Sequence, residues 1–470
     1  MVHSRAMKGR RLEILVVGIA AAVAATAFGA WWAVRPAVSI ELREPGADLA
    51  PDLGALATQA PLSGTLILAE GVAGDVGGWW PAFRGANRDG VAANGEGLLR
   101  QWAADEPAVL WSVEVGEGYA GAAIGHGRVY VIDYDRENQA DALRCLSLND
   151  GQEIWRYAYP LKVKRNHGMS RTVPAVTDRH VVSIGPKCHV LCVDALTGEF
   201  RWLIDLVAEH GTTVPQWYAG QCPLIDQGRV IIAPGGSALM MAVDSDSGQV
   251  VWQAPNPGGW KMTHSSIVPM ELDGRRTYVY CGRGGVAGVA ADDGSILWQT
   301  TQWRISIATV ASPVIVPGHR VFLSGGYNAG SMMLQIHRTE DGYAAEQLFK
   351  LKAGDFGATQ QTPIVYEGHI YGVRPDGQLT CLDFDGQIRW ASGPSARFGL
   401  GPLLIADGLV YVMNDEGLLV LAEASPSQYH PLAQAQVLHG HDSWGPMALA
   451  AGRLIVRDLT TMSCLAVAHR

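Results

Sequence analysis

Residues 191–202 read LCVDALTGEFRW, and close copies of this stretch recur along most of the chain. A small residue, an apolar residue and an Asp or similar lead to a turn glycine, and a tryptophan follows four positions later. The copies are CLSLNDGQEIW ending at Trp155, AVDSDSGQVVW at Trp252, GVAADDGSILW at Trp298 and CLDFDGQIRW at Trp390. Each describes a β-hairpin: an apolar strand, a polar cluster with a glycine (Gly151, Gly198, Gly248, Gly294, Gly386) that supplies the turn, and a returning strand ending in a large aromatic. Such a unit carries two apolar faces and cannot fold alone. It must stack on copies of itself, with the tryptophan as the fastener between neighbours. Burying roughly 150–250 Å² of indole at about 25 cal/mol/Å² gives an upper bound of several kcal/mol per unit.

The repeat is carried by Trp111, Trp155, Trp202, Trp252, Trp298 and Trp390. The interval between the last two is twice the usual spacing, and Phe349 stands where the missing aromatic is expected. Every unit opens with a second strand pair, as in VPAVTDRHVVSI (173–184) and GPLLIADGLVYVM (401–413), and eight such openings run from 122–132 to 445–457. The last unit stops near Ala468 without its GxxxW strand, whereas Trp111 lies on a strand with no unit before it. Pairing these two halves closes a ring and removes its free sheet edges. The expectation is an all-β, eight-bladed propeller over about residues 105–470, with seven blades as the alternative count.

Arg5, Lys8, Arg10 and Arg11 lie in a basic tail, 1–11, before an apolar run from Leu12 to Val34, with Trp31 and Trp32 at its far end. About 20 apolar residues span a bilayer, and positive charge stays on the cytoplasmic side. Residues 12–34 therefore predict a single-pass signal anchor in the inner membrane, with the propeller in the periplasm or otherwise outside the cytoplasm. The alternative is a cleaved signal peptide, although the run exceeds the usual 7–15 residue core of one. No cysteine precedes Cys145, so the N-terminus offers no site for lipid attachment. Residues 35–78 read as a tether with some local structure. The stretch 79–104, opening with WWPAFRGANRDGV, reads as a strap that packs on the propeller and fixes where it starts, or as a recognition segment.

A net charge of −9 with no long basic run argues against nucleic acid. Seven cysteines do not make a full disulfide framework, and Cys145, Cys192, Cys381 and Cys464 occupy the small position of the hairpin motif, as buried core residues. Cys188 and Cys192, about 13 Å apart on an extended strand, are too distant to share a zinc ion. GRGGVAG (282–288) falls on a hairpin and precedes no helix, so it reads as a turn instead of a phosphate loop.

The eleven-residue pattern, best preserved in Cys192, Asp194, Thr197, Gly198 and Trp202, resembles the tryptophan-docking repeat of the pyrroloquinoline-quinone-type β-propellers. That family includes quinoprotein alcohol dehydrogenases and the outer-membrane-protein assembly propeller of Gram-negative bacteria. The WPAFRG opening behind an apolar N-terminus is also similar to membrane-anchored bacterial paralogues. In a propeller the connections from each outer strand to the next inner strand converge on the central channel. Here they carry His167, Arg171, Trp217, Tyr218, Gln221, Trp260, Lys261, His264, Arg304, Gln361, Arg397, His441 and Trp444, a basic and aromatic set in an acidic protein. This set predicts binding of an anionic small ligand or an acidic or extended polypeptide. The resemblance implies a monomeric scaffold for a protein partner in the cell envelope, with no catalytic residue and no metal ligand assigned. Its alternative implication is a dehydrogenase holding pyrroloquinoline quinone with calcium. That branch carries funnel carboxylates and a disulfide between adjacent cysteines; here no two cysteines are adjacent.

Overall fold

The computed structural model describes residues 18–19, 21–32, 62–92, 97–102 and 106–469. Residues 18–19 and 21–32 are helical, and among the described residues no helix is long and apolar enough to cross a membrane. The remainder of the segment 12–34 lies outside the described residues, as do the basic tail and residues 35–61.

Eight antiparallel sheets follow one another along the rest of the chain. Blades 1 to 7 start at Ala123, Ala175, Leu224, Val268, Val314, Ile364 and Leu403, each running from the innermost strand outwards. Blade 8 takes its three inner strands from Ala448–Ala450, Arg453–Arg457 and Thr461–Ala466, and its outermost from Ala108–Glu114. Trp111 pairs with Cys464 in that closing ladder. The ring is thus closed by the two ends of the repeat region, and eight is the blade count.

Between blades the contact is a docked indole. Trp155 of blade 1 donates from Nε1 to the Leu196 carbonyl of blade 2 at 3.2 Å, and Trp202 to Ser245 and Trp252 to Ala291 at 3.0 Å. Trp111 reaches Leu148 across the closure at 3.0 Å, and Trp390 reaches Ser425 at 2.8 Å. The rings of Trp111, Trp155, Trp202 and Trp252 each cover the turn glycine of the next blade. A Cβ at Gly198 would lie 2.6 Å from the Trp155 ring, at a φ of 75° that side chains resist. Phe349 covers Gly386 in the same way, as its place in the repeat predicts. Trp298 alone of the six docking tryptophans has no acceptor, because blade 5 replaces the short turn with a long hairpin, Gly330–Thr339 and Gly342–Leu351.

Blade 7 has Ala433 at the docking position, paired with Leu421 just before the register shift that follows every docking pair. The reason is topological. The turn it would cover in blade 8 does not exist, since two chain ends meet there. Leu98 bridges to Ala468, the Leu99 amide donates to Val467 at 2.8 Å, and Trp102 is buried at this seam with Ala435, Val437 and Val467.

Parts of the segments expected as tether and strap are ordered against the blades. Thr65–Leu68 adds a fifth strand outside blade 1, in register with Trp155–Ala158, so the tether does not extend to 78. Residues 80–92 of the strap lie against the inner strands, inside the central channel. Trp80 exchanges backbone hydrogen bonds with Ile124 of blade 1 at 3.0 and 2.8 Å, and the Val176 amide of blade 2 donates to Pro81. Arg88 donates to Pro223 and Cys222 at the head of blade 3, and Arg84 to Thr362 and Pro363 at the head of blade 6. Val91–Ala92 then runs parallel to Ile405–Ala406 of blade 7. Burial lowers both arginines to about 10, so they remain charged at neutral pH. Neither pairs with a carboxylate among the described residues.

Side-chain acceptors link five of the inner strands where they begin. The amides of Val173, Cys222, Ser266 and Ser312 donate in turn to Cys222 Sγ, Ser266 Oγ, Ser312 Oγ and Thr362 Oγ1, at 2.9–3.2 Å, passing from blade 2 to blade 6. The chain of acceptors stops at blade 6, where Arg84 takes over.

These contacts make two expectations. Trp202→Phe removes a donor and strands the Ser245 carbonyl, costing about 1–3 kcal/mol in denaturant unfolding, while Trp298→Phe, whose indole nitrogen has no acceptor, costs distinctly less. Arg84→Met leaves several buried carbonyls unpaired and lowers stability by about 3 kcal/mol or more. Hydrogen exchange should then accelerate at the inner strands of blades 6 and 7 and not at the docking turns.

Candidate functional site

On the face where outer strands cross to inner strands, the connections enclose a cup of about 290 Å³. Its walls include Tyr119, Arg171, Trp217, His264, Tyr327 and Trp444, and Phe83 of the channel segment also lines it. Since that segment fills the channel beneath, the cup is blind.

Arg171 is held tightly. Its Nη2 donates to the carbonyls of Asn166 and His167 at 2.8 Å, its Nε donates to the Trp217 carbonyl, and its guanidinium lies 5.2 Å from the Tyr119 ring centroid. Burial lowers it to about 10, and no carboxylate neutralises it among the described residues. Its Nη1 has no protein acceptor among them either. Tyr119 and Trp444 lie 5.1 Å apart, and each is fixed from behind by an acid: the Tyr119 hydroxyl donates to Asp442 at 3.2 Å and the Trp444 indole to Asp415 at 2.7 Å. Both carboxylates are thereby used as struts, outside the lining. Trp217 stacks on Tyr327 at 6.4 Å and stands 6.2 Å from His264.

His264 lies against Gly220, where even a methyl group would come within 2.5 Å of the imidazole Cδ2. Burial, and then the charge of Arg171, pushes its pKa down to about 4, so the ring is neutral at physiological pH. The imidazole makes a hydrogen bond to the Tyr218 backbone, while its Nε2 is buried without a partner.

Of the thirteen face residues predicted, six line this cup: His167, Arg171, Trp217, His264, Gln361 and Trp444. Seven do not. Gln221 is fully buried and satisfies both the N–H and the carbonyl of Ala233, and the Tyr218 hydroxyl donates to the Lys164 carbonyl at 2.6 Å. Trp260 packs in the core of blades 3 and 4. Lys261, Arg304, Arg397 and His441 are exposed outside the cup, with Arg304 and Arg397 hydrogen-bonded to the Gly284 and Pro394 carbonyls. Residues absent from the prediction complete the lining, chiefly Tyr119, Tyr327, Val310 and Phe83. Tyr119 lies on a connection of the same kind as the others and was legible by that rule.

The sequence profile of the family described as outer membrane protein assembly factor BamB matches residues 139–390, more than half of the chain. The chain belongs to the BamB family. Family members from Moranella endobia (strain PCIT) and Yersinia pestis are each 21% identical to it, over 68% and 64% of this chain and 70% and 73% of theirs. The crystal structure of BamB from Moraxella catarrhalis superposes with a TM-score of 0.53 at 14% identity, covering 77% of this chain and all of that one. At that identity the likeness concerns the fold alone.

The alternative implication of the repeat's resemblance is a quinone held with calcium, and the lining can be tested against such a group. It includes no carboxylate, and among the described residues no three metal-ligating side chains converge. All seven cysteines are buried and free, and burial raises the thiols of Cys192, Cys381 and Cys464 to about 12, as inert core residues of blades 2, 6 and 8. This donor set does not fit a calcium-bound quinone.

The depressed pKa of His264 has a measurable consequence. Its ordinary value is 6.5, so the unfolded chain takes up a proton that the folded one refuses. The stability it confers is complete above about pH 6.5 and declines as pH falls through 4. In chemical denaturation between pH 4 and 7, His264→Gln should flatten this acid limb by on the order of 2 kcal/mol.

Proposed function

We propose that this chain is a membrane-anchored propeller of the bacterial cell envelope that holds a protein partner at the aromatic cup and catalyses nothing itself. The cup carries this reading: a blind recess walled by several connections, in which the acids serve as struts and a guanidinium lies open to a ligand. Aromatic residues and arginine are the side chains that most often dominate protein interfaces. The relatives' name, outer membrane protein assembly factor, points to the same class of work. The basic residues before an apolar run of some twenty residues support an anchor with the propeller outside the cytoplasm.

A photo-crosslinking amino acid in place of Tyr327, at the rim of the cup, tests the reading in intact cells. The expected result is a discrete adduct with an envelope protein, which disappears when Val310→Trp fills the cup. Adducts unaffected by that substitution would overturn the cup as the partner site. Carbonate extraction of membranes tests the anchor, with the full-length chain expected in the pellet and a chain beginning at residue 79 in the supernatant.

A further inference from the structure

The cup holds one positive charge that no acid answers. Arg171 gives its Nε to the Trp217 carbonyl and its Nη2 to the carbonyls of Asn166, His167 and Gly168, so that only Nη1 keeps free N–H groups. The residue retains partial exposure, and Nη1 is not among the unpaired polar atoms that are sealed from solvent. The Nε2 of His264, by contrast, is sealed in that way, and its ring serves the cup only as wall. The groups whose charge acts on Arg171 are the phenols of Tyr119 and Tyr218, and Tyr119 is pushed up to about 12 by burial and then by Asp442. Tyr119 is therefore neutral at physiological pH, and the guanidinium stays charged, fixed in place by carbonyls and without a counter-ion. An anion that reaches it meets a donor already oriented and little water to compete with.

Three features narrow the anion. Among the described residues Arg171 is the only arginine or lysine in the lining, so a doubly charged phosphate would leave one charge unbalanced among indole and phenol rings, where desolvation is costly. The guanidinium edges that grip phosphates through two nitrogens are already engaged at Nε and Nη2, which leaves contact through Nη1 alone. The guanidinium also touches one member of each of two aromatic pairs. It lies 5.2 Å from the centroid of Tyr119, which stands 5.1 Å from Trp444, and it bonds the carbonyl of Trp217, which stacks on Tyr327 at 6.4 Å. These rings offer apolar walls to whatever body carries the anion. At about 290 Å³ the cup lies at the lower limit of small-molecule sites, with room for one ring or a short stem. We infer that the cup recognises a single carboxylate on an apolar stem, presented by a partner polypeptide as an acidic side chain or a C-terminus, or by a free carboxylic acid. This rests on the reading of the cup as a binding site and names the group that enters it.

The test is a titration of the full-length chain in lipid nanodiscs, followed by tryptophan fluorescence. 3-Phenylpropanoate is compared with 3-phenylpropanamide, its neutral counterpart of the same shape, and with 2-phenylethylphosphonate, a dianion in mildly alkaline buffer. The carboxylate should bind about tenfold or more tighter than either, since a site built around one polar contact rejects analogues that cannot make it. Its advantage over the amide should disappear in Arg171→Met, and its binding in Val310→Trp, which fills the cup. Where the methionine variant fails to fold, the comparison of acid and amide in the unaltered chain still decides. Equal binding of acid and amide, tighter binding of the phosphonate, or acid binding that survives Val310→Trp would overturn the carboxylate. Two further probes separate the sources: N-acetyl-leucine presents a C-terminal carboxylate and the α-amide of N-acetyl-glutamate an acidic side chain. The tighter of these two names the group a partner presents, and 3-phenylpropanoate tighter than both makes the ligand a free acid. If no probe binds while Val310→Trp still abolishes the Tyr327 adduct, the carboxylate fails and the cup stands as the partner site. If Val310→Trp expels the acid but leaves the adduct intact, the carboxylate stands and the partner reading fails.

Discussion

One indole N–H, donated across a gap between sheets to a carbonyl of the next blade, is the contact on which the ring depends. A four-stranded sheet of this size has two apolar faces, and no blade is stable until both are covered. The docked tryptophan helps do this, and at four junctions its ring rests on a turn glycine whose missing side chain leaves the space. The junctions that depart from the pattern explain themselves. Where blade 5 grows a long hairpin, Trp298 stays buried in the apolar cluster of blades 4 and 5 and loses its acceptor. Where blade 8 has no turn because chain ends meet, blade 7 has no tryptophan, and Trp102 arrives from outside the repeats to fill the seam.

The inner rim is held by different means. Short polar side chains on the first residues of the inner strands accept the amide of the blade before, linking blades 2 to 6. The rest of the rim has Ala122, Pro402 and Met447 near the corresponding places, which offer no such acceptor. There the channel segment supplies the polar links, with Arg84 bonded to the last blade of the linked set and Gly90 and Val91 to blade 7. The two devices are complementary, and between them they turn an open ring into a closed cup.

The repeat was readable because its signal is periodic. A tryptophan four residues after a glycine recurs at blade spacing, so even its replacement by Phe349 and the split blade at the closure could be located from sequence. The cup was half readable. The connections that carry Arg171, Trp217 and His264 were identifiable as channel-facing, but which of their residues point inwards depends on hydrogen bonds no pattern displays. Gln221 and Trp260 are of the same chemical types as the lining and are spent on the scaffold. Phe83 and the strand Thr65–Leu68 could not be found by period, since each occurs once.

The connection of the closing strand to the channel segment bears on how the chain is made. Residues 79–92 emerge from the ribosome ahead of the strands of all eight blades, yet their partners in blades 6 and 7 lie some three hundred residues later, and Ala108–Glu114 waits for Thr461–Ala466. Neither the plug nor the seal can form until synthesis is nearly complete. Pairings of such long range are slow and leave sheet edges bare in the interim. The nascent chain therefore needs a custodian for those edges during translation, and a premature stop near the C-terminus would yield not a smaller propeller but an open, sticky one.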